Sequence, residues 1–145
     1  MKPNEYQKLA ARTECDQAAA RERMMAYRPY RDTNNGPDAV NLFPIRMNHA
    51  LMGMMGEVGE LATAVENWIH YNRGLDQVNV KEELGDLLWY IALMCSASSI
   101  SMEEVMEGNI AKLRKRFPTK YTDHDAAEEN RDRKAERKVM DNIYD

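Results

Sequence analysis

Apolar residues three and four positions apart run through the middle of the chain in two long sets, and this spacing constrains the fold more than any other feature. The first set is Leu51, Met54, Val58, Leu61, Val65, Trp68 and Ile69; the second is Val80, Leu84, Leu87, Leu88, Ile91 and Cys95. A 3.6-residue period gathers each set on one side of an α-helix. Nowhere does sustained two-residue alternation flanked by hairpin turns suggest a strand. The chain is therefore expected to be all-α, with one helix over about 45–71 and the next over about 78–98, separated by Asn72, Arg73 and Gly74. Trp89 and Leu93 fall on the far side of the second of these, which is apolar almost all round and needs cover on two faces. A chain of 145 residues suffices for one domain with a core but not for two. It can hardly cover both faces alone, so a bundle of four to five helices is expected to complete its core by oligomerisation, as a homodimer or homotetramer.

The flanking segments fit around this pair. A first helix is expected from an N-cap at Asn4 to about Tyr27, where Arg28 and Pro29 stop it. Residues 28–44 collect Pro29, Asn34, Asn35, Gly36, Pro37, Asp38 and Pro44, the composition of a long functional or mobile loop. Ser101 with Glu104 forms a capping box that opens a fourth helix reaching about Phe117, before Pro118. The core domain is thus expected over 1–122. The segment 123–145, rich in Asp, Glu, Arg and Lys, is expected as a charged peripheral helix or tail without a core of its own.

Bulk properties exclude several classes. The longest apolar run, from Leu87 to Ala97, falls short of the roughly 18 residues of a membrane span, and the polar start Met1-Lys2-Pro3-Asn4-Glu5 lacks a signal-peptide core. A cytoplasmic protein with no membrane partner is expected. A formal charge of −4 disfavours stable nucleic-acid binding, which draws on a basic face. Cys15 and Cys95 lack zinc or disulfide-framework spacing and read as reduced, buried thiols.

Four carboxylates stand out against this background. Glu57 and Glu60 are three apart on one long helix, and Glu83 and Asp86 three apart on the other, so each pair projects from one side. Glu57 lies roughly 40° around the wheel from Leu61, at the edge of the apolar stripe. Charge there is costly unless compensated, and clustering adds repulsion to desolvation. A divalent cation relieves both. Mg²⁺, which keeps waters while sharing carboxylates with phosphates, suits such a set, and Mn²⁺ could replace it. An i,i+3 acidic pair alone is usually a solvated face. Here Gly53, Gly56, Gly59 and Gly85 lie among the pairs, each costing up to about 1 kcal/mol in a helix, which points to close approach by a ligand or another helix. A carboxylate di-iron bundle would need Glu-x-x-His motifs, and His49, His70 and His124 complete none.

These residues resemble the MazG-like nucleoside triphosphate pyrophosphohydrolases of the all-α NTP pyrophosphatase superfamily. The resemblance rests on Gly56-Glu57-Val58-Gly59-Glu60, on Glu83-Leu84-Gly85-Asp86 with Leu87-Leu88-Trp89-Tyr90, and on the run from Glu107 to Arg116. It implies Mg²⁺-dependent cleavage of a nucleoside triphosphate between the α and β phosphates, releasing the monophosphate and pyrophosphate. It also implies that Glu57, Glu60, Glu83 and Asp86 serve as metal ligands and catalytic groups. The inward position of Glu57 suits it to act as base. Asn109, Lys112 and Arg116 form one stripe on the fourth helix and are expected to bind phosphate, although cations there also suit the helix dipole. His49 and Trp89 are candidates for nucleobase contact. The competing expectation is a non-catalytic nucleotide-binding or protein-interaction module; the intact acidic positions favour the enzyme.

Overall fold

The computed structural model describes residues 3–13, 15–26 and 42–141. They form helices α1 (Pro3–Ala11), α2 (Gln17–Ala26), α3 (Phe43–His70), α4 (Gln77–Ser98), α5 (Met102–Arg116), α6 (Asp123–Ala126) and α7 (Arg133–Asp141), with a 3₁₀ turn at Glu128–Asn130 before α7. No strand occurs among the described residues, and the fold is all-α as the periodicity requires. The expected loop at 28–44 lies mostly outside the described residues.

The expected first helix is instead two. Arg12 and Thr13 turn back to donate their backbone N–H groups to Leu9 and Ala10, and the Thr13 hydroxyl also donates to the Ala10 carbonyl. Asp16 then accepts the Ala19 N–H through its side chain, as an N-cap does. Short polar side chains that satisfy the backbone locally end one helix and start the next, a competition that helical composition alone conceals. Neither α1 nor α2 contains a buried residue.

Local chemistry sets the other boundaries. Pro44 sits in the first turn of α3, where its missing N–H leaves no hydrogen bond unmade, so it opens the helix rather than closing the loop. Asp76 caps α4 by accepting the Val78 and Asn79 N–H groups at 2.9 and 3.1 Å. Ser99 adopts the left-handed conformation that ends α4, with φ of 55°. The capping box at Ser101 and Glu104 is present with both hydrogen bonds.

α3 and α4 pack as an antiparallel hairpin, the most extensive helix contact among the described residues. Its register is marked near one end by Ser98, whose hydroxyl donates to the Met47 sulfur at 3.4 Å, and along its length by Tyr90 seated over Gly53. The seam buries Ala50, Cys95 and Ala97, and no large side chain among the described residues is wholly buried. Leu51, Met55, Val58, Val65 and Ile69 stay exposed on α3, as do Leu84, Leu88 and Trp89 on α4. With Ala62 the α3 set falls at spacings of four, three, four, three and four, a second apolar stripe beside the one used in the hairpin. The thiols divide: Cys95 is buried as expected, but Cys15 is exposed.

The charged segment after Thr122 is anchored. α7 packs on α5, and its Glu136, one of two charged residues buried among those described, receives a two-pronged contact from Arg116 at 3.0 and 2.6 Å and another from Arg131 at 3.3 and 2.9 Å. Glu128 pairs with Arg131 and Arg133 nearer the surface. The hydrogen bonds from Arg116 and then Arg131 hold the Glu136 carboxyl at about 2. Because this lies below its ordinary value of 4.5, the pairing stabilises the folded state above pH 4.5 and that contribution is lost as the pH falls toward 2. Hydrogen exchange across acid pH is expected to accelerate in α7 and the end of α5 over this window, and Glu136→Gln should produce the same release at neutral pH. Protection in α7 that is indifferent to both changes would contradict this account.

Candidate metal centre

The hairpin register brings the two acidic pairs face to face. One carboxylate oxygen from each of Glu57, Glu60 and Glu83 lies within 4.8 Å of the others. Asp86, one turn along α4 from Glu83, is exposed and lies outside this triplet, yet its charge acts on Glu57. Burial is unequal. Glu83 is only 6% exposed, whereas Glu57 is half-buried and Glu60 faces solvent. The helical wheel marks Glu57 as the inward carboxylate; in the folded hairpin Glu83 is deeper, because α3 covers the side of α4 that carries it.

Crowding changes the proton affinity of the group. The Glu57 carboxyl is raised above its usual range, first by its hydrogen bond with Glu83, then by burial and by the charges of Glu60, Asp86 and Glu83. A hydrogen bond between two carboxyls requires a proton on one of them. Glu83 has a further partner: the Asn79 side-chain amide donates to its Oε1 at 2.6 Å. Asn79 is absent from the residues that the sequence singles out, though its place one turn before Glu83 on the same face is a usable sign.

The donor set fits a hard divalent cation. Ligand oxygens about 2.1 Å from Mg²⁺ stand up to about 4.2 Å apart across an octahedron, close to the spacing here. A cation would neutralise charge that the hairpin otherwise forces together. Glu57, Glu60 and Glu83 could hold it, with Asp86 at the rim.

The other expected site residues are placed less closely. His49, Trp89 and Tyr90 form an aromatic cluster, with Trp89 and Tyr90 edge to face at 4.9 Å and His49 at 6.2 and 5.8 Å from them. A side chain at position 53 would collide with the Tyr90 ring, so Gly53 admits the close approach that its place in a helix suggested. Gly56, Gly59 and Gly85 face open space. Asn109 is exposed and Lys112 half-buried on α5, and among the described residues no hydrogen bond or ion pair joins either to the carboxylates. The Arg116 guanidinium is paired with Glu136. This pairing could not be read from the sequence, since an ion pair with a residue 20 positions later leaves no mark in local spacing.

Because Glu57 takes up a proton more readily when folded than unfolded, the metal-free fold is favoured at low pH and weakened as the pH rises through the raised value. Glu57→Gln is expected to raise the melting temperature by a few degrees at neutral pH in chelator, and to abolish most of the further rise that Mg²⁺ gives the native chain. A variant that melts lower in chelator, or keeps the full Mg²⁺ response, would show that Glu57 is not part of a crowded cation site.

Comparison with known proteins accords with this geometry. The model of the MazG nucleotide pyrophosphohydrolase domain matches residues 47–121, a span that contains all of α3 but its first turn, the whole of α4, all four carboxylates and α5. The gene 37 protein of Mycobacterium phage L5 is 28% identical over 74 residues, which cover 48% of this chain and 65% of that protein's length. No solved structure gives a significant match. With more than half of its length matched and the acidic pairs in the seam of the hairpin, the chain belongs to the MazG nucleotide pyrophosphohydrolase domain family.

Proposed function

We propose that this protein hydrolyses a nucleoside or deoxynucleoside triphosphate between the α and β phosphates, giving the monophosphate and pyrophosphate, with Mg²⁺ as its cofactor. The observation that carries the reading is the triplet of Glu57, Glu60 and Glu83 carboxylates converging across two helices within a MazG domain. When bound, Mg²⁺ supplies charge neutralisation of the polyphosphate and acidifies a coordinated water.

The remaining work falls to side chains. Glu60, Glu83 and Asp86 provide fixed negative oxygens that orient the cation and, through it, the phosphates. Glu57, whose proton affinity is raised by its neighbours, is suited to accept a proton from the attacking water. Asn109 and Lys112 are available to donate to phosphate oxygens. The exposed face of Trp89, braced by Tyr90 and His49, offers a surface on which a nucleobase can stack. Such a reaction would serve control of nucleotide pools in the cytoplasm; no described single helix is long and apolar enough to cross a membrane.

The working form is proposed to be a homo-oligomer. A second copy of the hairpin would cover Leu51, Met55, Val58, Val65 and Ile69 together with Leu84 and Leu88, since apolar area on this scale is stabilising only when removed from water. Light scattering is expected to give a mass of at least twice the 16.8 kDa of one chain, and Leu88→Glu should lower it. A native monomer would contradict the proposal.

Activity is tested by incubating the full chain with a panel of nucleoside and deoxynucleoside triphosphates and Mg²⁺. Pyrophosphate and monophosphate should appear in equal amounts, and Glu83→Ala should reduce turnover by at least about 100-fold. Orthophosphate as the first product, nucleotide binding without turnover, or full activity in Glu83→Ala would overturn the reading.

A further inference from the structure

Glu83 occupies an unusual position among the acidic residues of the hairpin. It is the one carboxylate of the triplet that is buried, and a buried carboxylate without donors is strongly disfavoured. Two groups meet it. A Glu57 carboxylate oxygen lies within 4.8 Å of one of its own across the seam, and the Asn79 amide donates to Oε1 at 2.6 Å from one turn earlier on α4. The amide of Asn79 is the only amide donor that the described residues give the Glu83 side chain.

We propose that Asn79 is a positioning residue for the metal centre: by holding Oε1 of Glu83 it fixes the carboxylate rotamer and presents the other oxygen to the cation shared with Glu57 and Glu60. The inference rests on the metal-site reading given above and adds a residue to it.

Local structure suits Asn79 to this task. Its backbone N–H is held by the Asp76 side chain at 3.1 Å, so it stands in the capped first turn of α4, and it is half-buried. A short side chain with two rotatable bonds, anchored in a capped turn, loses little entropy in holding its neighbour. Four residues of separation place the amide directly over the Glu83 carboxylate on the helix face. Orientation of this kind, in which the ligand's remaining oxygen is fixed by a donor outside the ligand set, is how surrounding residues tune metal affinity.

The test is a titration of the full-length protein with Mn²⁺ alone, following the free ion by electron paramagnetic resonance, for the native chain, Asn79→Leu, Glu83→Gln and the double variant. Asn79→Leu keeps the size of the side chain and removes the donor. It should weaken Mn²⁺ binding by about tenfold or more while circular dichroism and mass in solution stay unchanged, and Asn79→Gln should restore part of the loss. In the Glu83→Gln background the same substitution should change affinity by less than about twofold, because the effect passes through Glu83. Native affinity in Asn79→Leu, or an equal loss with and without Glu83, overturns the proposal and leaves the metal site standing. A native chain that binds no Mn²⁺ overturns both.

Discussion

The contact between Glu57 and Glu83 across the seam of α3 and α4 is the constraint on which the rest of the structure turns. Two acidic groups are held together by a hairpin whose apolar residues favour close packing, and the clash is eased by the Asn79 amide and, in the proposed working state, by a cation. The hairpin thus stores an electrostatic demand that a hard divalent ion satisfies. A fold with the same helices and a solvated acidic face would place no such demand on its environment.

Around this seam the molecule is built of elements with different dependencies. α3 and α4 join through Ala50, Cys95, Ala97 and the fit of Tyr90 over Gly53. α5 instead engages α7, through Glu136 and the two arginines that share it. Arg116 takes part in that arrangement. A guanidinium fork matches carboxylate and phosphate equally well, so a residue that spacing alone marks as a phosphate ligand is here the anchor of the C-terminal helix. The apolar stripes left on the outside of the hairpin are the complement of its thin core, and they supply the physical reason for proposing that chains associate.

Much of this was legible in the sequence, and the exceptions have physical causes. The 3.6-residue period of Leu61, Val65, Leu84 and Leu87 is imposed by helix geometry itself, so the two long helices and the facing sides of the acidic pairs could be read directly. The capping box at Ser101 and Glu104 is equally local. The break between α1 and α2 was not legible, because it depends on whether Thr13 and Asp16 spend their side chains on the backbone. The greater depth of Glu83 within the seam was not legible, since one helical wheel cannot say how far a neighbouring helix overlaps it. The pairing of Arg116 with Glu136 and the buried state of Glu136 are tertiary facts with no sequence period. Asn79 was passed over because an amide one turn before a carboxylate is common on helices, and its importance emerges only once Glu83 is known to be buried.

The claim that the carboxylates of both helices form one cation site is tested most directly by crystals of the protein grown or soaked with Mn²⁺ and measured at a wavelength where that ion scatters anomalously. The account predicts an anomalous peak between α3 and α4, about 2.2 Å from oxygens of Glu57, Glu60 or Glu83 with at least one ligand from each helix. A seam free of anomalous density at saturating Mn²⁺, or a peak bound by residues of one helix alone, would contradict it.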